Sequence, residues 1–323
     1  MPNQVPHFDN QTIAKIVLEL YGVEGEISPL VAFEDQNALI KTSNDRFVFK
    51  IANKRWPIEF LQMQHDVMEH LSRAAPDLKF SRAIETKDGK TITIIDGFAV
   101  RMLTFLKGDM LTNTPRSPDL YHDVGRFLGQ YSSAMKTYNN PAADRPDDFW
   151  NLDNVIACKD YLCDVIDEDA RERITRLFVV YEKDILPKVA KFRKAVIHGD
   201  ANEQNFLINP DQPTKISGLI DFGEMIYGSQ VNDLAICLAY SLLGEDDIEM
   251  ASQKIIAGYC QEFTLEESEL EIIYDLAAMR LVTNITMTSH DAKKFPDNQY
   301  ILISQKFARD LLKKLEQKKY ILK

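Results

Sequence analysis

The sequence contains few cysteines and no long apolar segment, and both features narrow the class of protein. Four cysteines occur among 323 residues, and none belongs to a C-x-x-C pair or lies beside a histidine cluster, so we expect neither a zinc site nor a disulfide framework. No run approaches the roughly 18 apolar residues of a membrane-spanning helix, and the N-terminus lacks a basic-then-apolar signal. We therefore expect free thiols, no membrane association and a cytoplasmic location.

Basic residues are also scarce. The formal net charge is -11, which argues against a general nucleic-acid binder because such proteins present a basic face. A local basic pocket for phosphate groups is still compatible with this charge. The balance of 45% apolar and 27% charged residues is typical of a folded protein, and the length favours about two domains. No pattern indicates an oligomeric state.

Hydrophobic periodicity divides the chain into two regions. Residues 11–21 show helical spacing and end at Gly22, a typical helix stop. Up to residue 106, short β-rich runs then alternate with turn residues such as Asp96–Gly97, and one amphipathic helix covers residues 57–74. The β-rich runs are ISPLVAF, ALIKT, RFVFKI, TITII and FAVRMLTFL. This pattern predicts a small antiparallel sheet with a single inserted helix.

Helical patterns dominate from residue 119 onward, and β-rich runs interrupt them only within 195–223. The helical segments are 119–137, 154–165, 168–191, 229–243, 248–261, 266–289 and 301–319. We place the domain boundary near Gly108 and predict an N-terminal domain over residues 1–105 and a C-terminal domain over residues 106–323. The predicted fold class is α+β, with a small antiparallel-sheet lobe and a larger, mostly helical lobe.

A polar run interrupts a segment that otherwise has the composition of buried strands, VIHGDANEQNFLI (196–208). The turn at Asn209–Pro210–Asp211 makes Asn205 the start of one strand and Asp221 the end of its partner, so both side chains reach the same end of the hairpin. Oxygen ligands of this kind suit Mg²⁺ that also binds nucleotide phosphates. Asp200, on the loop, could accept or orient a hydroxyl proton, as phosphoryl transfer requires. A purely polar hairpin turn is the alternative.

His198 and Asp233 are expected to support this loop rather than to react. We predict that His198 bonds Asp233, in the VNDLAI opening of the next helix, and that this contact braces the loop. A carboxylate that only caps the helix N-terminus is the alternative for Asp233.

The motif HGDANEQN (198–205), followed by IDFG (220–223), resembles the catalytic core of the aminoglycoside-phosphotransferase-like kinases. The similarity is closest to the hydroxylysine kinase branch, with homoserine kinases and choline kinases as more distant relatives. Matching stretches run through most of the chain. They are DQNALI (35–40), FVFKIAN (47–53), MQHDVMEHL (63–71), VRMLTFLKG (100–108), LIDFGEMIYG (219–228) and VNDLAI (231–236).

The resemblance implies a bilobal protein-kinase-like fold and transfer of a nucleotide γ-phosphoryl group to a small-molecule hydroxyl. By motif match, Asp200 is the catalytic carboxylate, while Asn205 and Asp221 bind Mg²⁺. Lys50, a lysine within an apolar strand, would meet the α- and β-phosphates, with an exposed position on the sheet as the alternative. Its carboxylate partner would be Glu59, because the position aligned with the usual acid holds Gln62.

The resemblance also places the nucleotide. No G-x-G-x-x-G loop is present, and Glu34–Asp35–Gln36–Asn37 occupies the first hairpin, so side-chain amides and backbone N–H groups would cover the phosphates. The hinge near Leu103–Leu106 should present backbone groups to the base, because linker backbone has no ladder partner. Met102 and Leu103 would line the base slot. The nucleotide-binding residues predicted in this segment are Met102, Leu103, Thr104 and Leu106.

Five residues are candidates for substrate recognition. Glu224 follows the metal motif and could hold an amine cation or pair with a lysine. Trp150 and Asp153 begin the helical insert that caps the cleft in relatives, and an aromatic ring beside carboxylates suits an ammonium group, although a core position is the alternative for the tryptophan. Arg280 and Asn284 share a helix face and could meet a substrate carboxylate.

We therefore predict a cytoplasmic small-molecule kinase that uses Mg²⁺ and ATP or GTP to phosphorylate a hydroxyl of an amine-bearing metabolite, with hydroxylysine as the first candidate. Homoserine, choline-like and aminoglycoside kinases are alternatives, as is a catalytically silent nucleotide-binding scaffold of the same fold. We expect no nucleic-acid or membrane partner. The sequence does not determine the acceptor, the nucleotide preference or the oligomeric state.

Overall fold

The computed structural model describes residues 4–32, 35–296, 299–318 and 320–321. The chain divides into two compact units, Met1–Lys107 and Gly108–Lys323. Among the described residues, no helix combines the length and the apolar character needed to cross a membrane.

The first unit is built on one antiparallel sheet. Its strands are β1 (Glu26–Leu30), β2 (Gln36–Lys41), β3 (Arg46–Ile51), β4 (Ala83–Ile84), β5 (Thr93–Ile95) and β6 (Phe98–Thr104), and its helices are α1 (Asn10–Tyr21) and α2 (Ile58–Ala74). The strand order is β1-β2-β3-β6-β4, and β5 pairs with β6. Helix α1 begins where the Asp9 side chain accepts a hydrogen bond from the Thr12 amide and ends at Gly22, whose φ is 68°, as glycine allows.

The two faces of this sheet have different chemistry. Phe49, Ile51 and Met102 belong to an apolar cluster packed with the buried face of α1. Lys50 points to the other face because side chains alternate along a strand, and its register partners there are Asn37 on β2 and Arg101 on β6. A row of polar side chains therefore crosses the middle of the sheet.

His65 is the unusual residue on the buried face of α2. It is 5% exposed, and within the described part of the chain neither ring nitrogen has a hydrogen-bond partner. Burial, together with the positive charges of Arg101 and Lys50, lowers the pKa of His65 from 6.5 to about 3. The ring is therefore uncharged in the folded protein at neutral pH.

The second unit is mostly helical. Its helices are α3 (Pro118–Met135), α4 (Glu168–Val180), α5 (Leu186–Val189), α6 (Val231–Ser241), α7 (Ile248–Glu262), α8 (Glu267–Glu271), α9 (Ile273–Lys294) and α10 (Gln305–Gln317). Its short 3₁₀ segments are Leu111–Asn113, Pro141–Ala143, Leu152–Asp164, Phe222–Glu224 and Gln299–Leu302. The helix predicted over 154–165 is thus a 3₁₀ segment. The one predicted over 168–191 contains a π-helical turn at Tyr181–Ile185, and the one predicted over 266–289 is divided at Ile272.

Two small sheets lie within this helical unit. Their strands are β7 (Asp109–Met110), β8 (Lys194–Ile197), β9 (Phe206–Asn209), β10 (Gln212–Leu219) and β11 (Ile226–Ser229). Strand β9 pairs with both β10 and β7, and β11 pairs with β8, all antiparallel. The motif loop therefore connects the end of β8 to the start of β9.

Helix α3 fixes the position of strand β10. The Asp123 side chain is 1% exposed, and it accepts hydrogen bonds from the Ile216 amide at 2.8 Å and from Lys215 Nζ at 3.0 Å. Helix α7 can approach α3 closely because Gly125 and Gly258 lie at the contact, where an added Cβ would come within 1.9 Å of Ile255 O and 2.0 Å of His122 O. Hydrogen bonds to a buried carboxylate and close helix packing thus hold the strand that leads to the second half of the motif.

The low pKa of His65 predicts an acid-dependent loss of stability. Because the folded pKa lies below the value of 6.5 in the unfolded chain, the contribution is complete above pH 6.5 and declines as the pH falls towards 3, by about 1.4 kcal/mol per pH unit. We expect the wild-type free energy of unfolding to fall by about 2 kcal/mol more than that of His65→Met between pH 6.5 and pH 5. Denaturant titrations of both proteins at the two pH values measure this difference. Identical pH dependence would contradict the assignment.

Candidate active site

The loop between β8 and β9 turns sharply at Gly199. Its φ is 77°, and a Cβ added there would lie 2.3 Å from the Glu224 carbonyl oxygen. Only glycine combines this backbone angle with such a close approach. The loop is therefore seated directly against the segment that follows Asp221.

Asp233, near the start of α6, holds the same loop through its side-chain carboxylate. It is 1% exposed, and its two carboxylate oxygens accept hydrogen bonds from the backbone amides of His198 at 3.0 Å and Gly199 at 2.9 Å. The predicted contact between His198 and Asp233 thus exists, but the main chain of His198 makes it and the ring does not. Burial raises the pKa of Asp233, while the nearby His198 and these amide bonds lower it.

The ring of His198 connects the two halves of the motif. It is fully buried, its Nδ1 accepts a hydrogen bond from the Asp200 amide at 3.3 Å, and its Nε2 lies 3.1 Å from the Ile220 carbonyl oxygen. These contacts require the tautomer with its proton on Nε2. His198 therefore supports the loop and has no free nitrogen for proton transfer.

The carboxylate of Asp200 is held from both sides. Its Oδ2 accepts hydrogen bonds from the side-chain amides of Asn202 at 2.9 Å and Asn205 at 3.0 Å. Its Oδ1 accepts from Arg280 Nη2 on α9 at 3.1 Å. The side chain is 23% exposed, so it combines a fixed orientation with access to solvent.

Asn205 and Asp221 lie at one end of the β9–β10 hairpin. The Ile220 amide donates to the Asn205 carbonyl oxygen at 2.9 Å, which brings Asp221 next to Asn205 along the ladder. Asp221 is exposed, with φ of 63°, and its Oδ1 accepts from the Gly223 amide. Both hydrogen bonds made by the Asn205 side chain use Nδ2 and go to Asp200. Its amide oxygen and the Asp221 carboxylate are oxygen donors of the type that Mg²⁺ prefers.

Glu224 lies among other carboxylates. Burial and the negative charges of Asp148, Asp200 and Asp221 raise its pKa to about 8, although Arg145 opposes the shift. Arg145 is also bonded to Asp148 at 2.7 Å and lies 3.9 Å from Glu224. About a third of the Glu224 side chain, 31%, is exposed. This acidic group favours the approach of a cation from solvent.

Trp150 and Asp153 both lie close to this region, but they make different contacts. The Trp150 ring is half-buried, and one face is covered by the Arg280 guanidinium, whose Cζ lies 4.7 Å from the ring centroid. The Asp153 carboxylate accepts hydrogen bonds from Ser229 and Asn232, and it forms an ion pair with Lys194 at 3.1 Å. These contacts favour a bracing role for Asp153 over the predicted contact with substrate.

The predicted partner of Lys50 requires a correction. Glu59 lies in the exposed first turn of α2 and forms no ion pair within the described residues, and Gln62 is exposed and bonded to Asp66. The α2 side chain whose protonation Lys50 influences is instead the buried His65. Both α2 positions considered for the partner of Lys50, Glu59 and Gln62, are thus exposed.

The backbone of the predicted hinge is also more occupied than expected. The Thr104 amide donates to Arg82 O at 2.9 Å, and the Phe105 amide donates to Arg46 O at 3.2 Å. The expectation that these linker amides lack partners is therefore wrong for both. Met102 is fully buried in the apolar cluster against α1, away from the Lys50 face, whereas Leu103 shares that face and Leu106 is half-buried.

The first hairpin differs from the prediction as well. Glu34 lies outside the described residues. The Gln36 side chain makes two hydrogen bonds with the Phe8 backbone, so it holds the N-terminal segment and is not available for phosphates. Asp35 accepts from the Asn53 amide at 2.9 Å. Asn37 is the amide of this hairpin that lies beside Lys50 in the ladder.

Sequence reasoning missed two residues and assigned a third differently. Asp148 belongs to no recognisable sequence motif, because only the fold of the surrounding segment brings it close to Glu224. His65 stands within a matching stretch, but the helical period places it away from the centre of the apolar stripe of α2, so only the fold shows that it is buried. Arg280 was expected to meet a substrate carboxylate, but the carboxylate it contacts is that of Asp200.

Comparison with known proteins establishes the family. Residues 26–270, well over half of the chain, match the family model described as the phosphotransferase enzyme family, APH. The chain therefore belongs to this family and is a small-molecule kinase. Both conclusions confirm the sequence prediction.

Curated relatives extend over most of the chain. The hydroxylysine kinase of Xenopus laevis is 27% identical over 335 residues, which cover 94% of this chain and 88% of the relative. The homoserine kinase of Zymomonas mobilis is 26% identical and covers 78% of each chain.

Solved structures show the same fold at lower sequence identity. The amicoumacin kinase hAmiN, in complex with AMP-PNP, Ca²⁺ and Ami, has a TM-score of 0.72 at 17% identity and covers 95% of this chain and 94% of its own. The microcompartment-associated aminopropanol kinase has a TM-score of 0.73 at 14% identity, with 96% and 98% covered. The predicted α+β, protein-kinase-like fold is confirmed by these similarities.

The brace formed by Asp233 predicts a large and local effect on stability. In Asp233→Ala two buried backbone amides lose their acceptors, and each unsatisfied group costs about 1–3 kcal/mol. We expect the free energy of unfolding to fall by about 2–4 kcal/mol, measured by denaturant titration. Asp310→Ala, which removes an exposed aspartate from α10, is the matched control and should change the value by less than about 0.5 kcal/mol. Equal effects of the two substitutions would show that the brace contributes nothing.

Proposed function

We propose that this member of the phosphotransferase enzyme family transfers the γ-phosphoryl group of ATP or GTP to a hydroxyl of a small, amine-bearing metabolite. A hydroxylysine-like amino acid is the first candidate acceptor. The observation that carries the proposal is the fixed carboxylate of Asp200, which shares a hydrogen bond with Asn205 at the hairpin end where Asp221 also lies. Phosphoryl transfer requires this juxtaposition of a hydroxyl-positioning group with oxygen ligands for a cation.

In this proposal Asp200 is the catalytic residue that accepts the hydrogen bond of the acceptor hydroxyl and aligns it for attack. Its rigid hold supports such a role, because orientation of the nucleophile is a major part of what the protein contributes to phosphoryl transfer. His198, Gly199 and Asp233 keep the loop in place and do not react.

Asn205 and Asp221 are the proposed Mg²⁺ ligands. The Asn205 amide group is oriented by its two Nδ2 bonds to Asp200, so its oxygen is the atom left for a cation, and the exposed Asp221 adds a carboxylate. When bound, Mg²⁺ would neutralise charge on the nucleotide phosphates. The nucleotide itself would supply the remaining oxygen ligands.

The first unit supplies the proposed phosphate and base contacts. Lys50 lies in a polar row with Asn37 and Arg101 on one face of the sheet. Arg101 is buried and Lys50 is half-buried, so Lys50 is the cation proposed to meet a polyphosphate. For the base, Leu103 and Leu106 are the residues that we retain from the predicted segment. Met102 lies in the apolar core and Thr104 is bonded to Arg82.

The acidic surroundings of Glu224 support an amine on the acceptor. The negative charges of Asp148, Asp200 and Asp221 act on Glu224 and, with burial, raise its pKa, and a bound ammonium group would relieve this repulsion. Trp150 adds an aromatic ring nearby. Relatives named for hydroxylysine and homoserine both act, by their names, on hydroxylated amino acids. Homoserine remains the second candidate, ahead of choline-like and aminoglycoside acceptors.

A catalytically silent nucleotide-binding protein of the same fold is the alternative, because Glu59, the predicted partner of Lys50, is exposed on α2. Four free thiols among the described residues suit a reducing compartment, and we keep the cytoplasm as the proposed location.

A nucleotide-consumption screen tests the proposed function directly. The protein is incubated with Mg²⁺ and either ATP or GTP against 5-hydroxylysine, homoserine, choline and aminoglycosides, and product is identified by mass. We expect turnover of a hydroxylated amino acid and a loss of at least about 10³-fold in kcat for Asp200→Asn. Nucleotide binding without phosphorylation of any acceptor would support the silent scaffold. Full turnover by Asp200→Asn would show that Asp200 is not the catalytic residue.

Replacement of Glu224 tests the amine contact separately. Glu224→Gln keeps the size of the side chain but can no longer ionise, so at a pH above 8, where Glu224 is charged, we expect KM for an amine-bearing acceptor to rise about tenfold or more while KM for the nucleotide changes little. The matched comparison uses an acceptor of similar length without the amine, for which wild type and variant should behave alike. An equal rise for both acceptors would argue for a structural role.

A further inference from the structure

We propose that Arg280 is the positioning residue for Asp200, and that it selects which carboxylate oxygen receives the acceptor hydroxyl. This inference rests on the proposed function. It assigns a role to a residue on α9, about 80 residues along the chain from the motif that carries the chemistry.

Arg280 is held in place more firmly than a surface arginine would be. It is 2% exposed, and its guanidinium contacts two aromatic rings, with Cζ 4.7 Å from the centroid of Trp150 and 5.5 Å from that of Tyr240. Nη1 donates to the Trp150 carbonyl oxygen at 3.0 Å, while Nη2 donates to Asp200 Oδ1 at 3.1 Å. Two ring contacts and two hydrogen bonds therefore fix the planar group.

The hydrogen bonds of Asp200 determine where a hydroxyl can bind. A carboxylate oxygen accepts about two hydrogen bonds. Oδ2 already receives two, from Asn202 and Asn205, whereas Oδ1 receives one, from Arg280. The remaining acceptor position is on Oδ1, so the reacting hydroxyl would bind beside the guanidinium.

Arg280 is also not optimised for stability alone. Its Nε is buried and has no hydrogen-bond partner among the described residues, and an unsatisfied buried donor is unfavourable for folding. Such a residue is retained more readily where it has a function. Its positive charge also offsets part of the repulsion between Asp200 and Glu224. Burial lowers the pKa of Arg280, whereas Tyr240, Asp200 and Glu224 raise it, and the net shift is upward.

A lysine could not do the same work. A single ammonium group cannot contact both rings and also bond to a carbonyl oxygen and a carboxylate with the geometry of the planar guanidinium. The effect of Arg280→Lys therefore distinguishes geometry from charge. Retention of charge alone should restore only part of the activity.

The experiment compares Arg280→Met and Arg280→Lys with the control Arg173→Met, using 5-hydroxylysine and Mg²⁺-nucleotide. Arg173 is a buried arginine of α4 that pairs with Glu316 and Asp169, away from the motif. We expect Arg280→Met to lower kcat about 100-fold, the size of effect that misplacement of a reacting group produces, with nucleotide Kd within about twofold of wild type. The kcat of Arg280→Lys should lie between those of the wild type and Arg280→Met. Added methylguanidinium should restore part of the activity of Arg280→Ala.

A double-mutant cycle shows whether Arg280 acts through Asp200. In an Asp200→Asn background, Arg280→Met should lower the residual kcat by less than about threefold. A further 100-fold loss in that background, or a loss no greater than in Arg173→Met, would overturn the inference even if the kinase function holds.

The same cycle measured by thermal denaturation remains informative if no acceptor is phosphorylated. The fall in Tm of the double variant Asp200→Asn/Arg280→Met should then be smaller than the sum of the single falls, because each single variant leaves one partner unpaired. Additive shifts would show that the two side chains do not interact. Failure of the acceptor screen with non-additive shifts would reject the proposed function while retaining the contact.

Discussion

The hydrogen bonds around the carboxylate of Asp200 are the constraint on which the rest of the second unit depends. Two amides hold one oxygen and a guanidinium holds the other. These donors come from the loop itself, from the start of β9 and from α9, so three separate elements must be in place before the carboxylate is oriented. A partly buried carboxylate keeps a single orientation only when its hydrogen-bond partners are fixed, because an unpaired carboxylate would bind water and rotate.

The surrounding fold supplies that fixation at each point. Asp233 anchors the loop amides, Gly199 allows the loop to lie against Glu224, and His198 joins the loop to the strand that ends before Asp221. Asp123 then ties that strand to α3. The supports from Asp233, His198 and Asp123 are buried polar contacts, which give a defined geometry at a greater desolvation penalty than apolar contacts. These contacts therefore fix the positions of residues around the candidate active site more than they contribute to the stability of the fold.

Hydrophobic periodicity and turn chemistry allowed much of this fold to be predicted. Helices over 57–74 and 248–261 were recognisable because their apolar positions repeat at helical spacing, and HGDANEQN with IDFG identified Asp200, Asn205 and Asp221 as neighbours. The 3₁₀ geometry of Leu152–Asp164 and the strands β4, β7 and β11 were not predictable, since tertiary pairing determines such short elements. Glu59 was assigned to Lys50 by family analogy, but only the rotation of α2 decides which side chain faces the sheet. The contact between Arg280 and Asp200 joins residues far apart in sequence, so no local pattern could reveal it.

The central claim is that Asn205 and Asp221 bind one nucleotide-associated cation while Asp200 stays free for the hydroxyl. A crystal structure with AMP-PNP and Mn²⁺, located by its anomalous scattering, tests this most directly. The account predicts one Mn²⁺ at about 2.1–2.3 Å from the Asn205 amide oxygen and an Asp221 carboxylate oxygen, with Asp200 still bonded to Arg280. A cation bound elsewhere, or one ligated by Asp200 with Arg280 displaced, would contradict it.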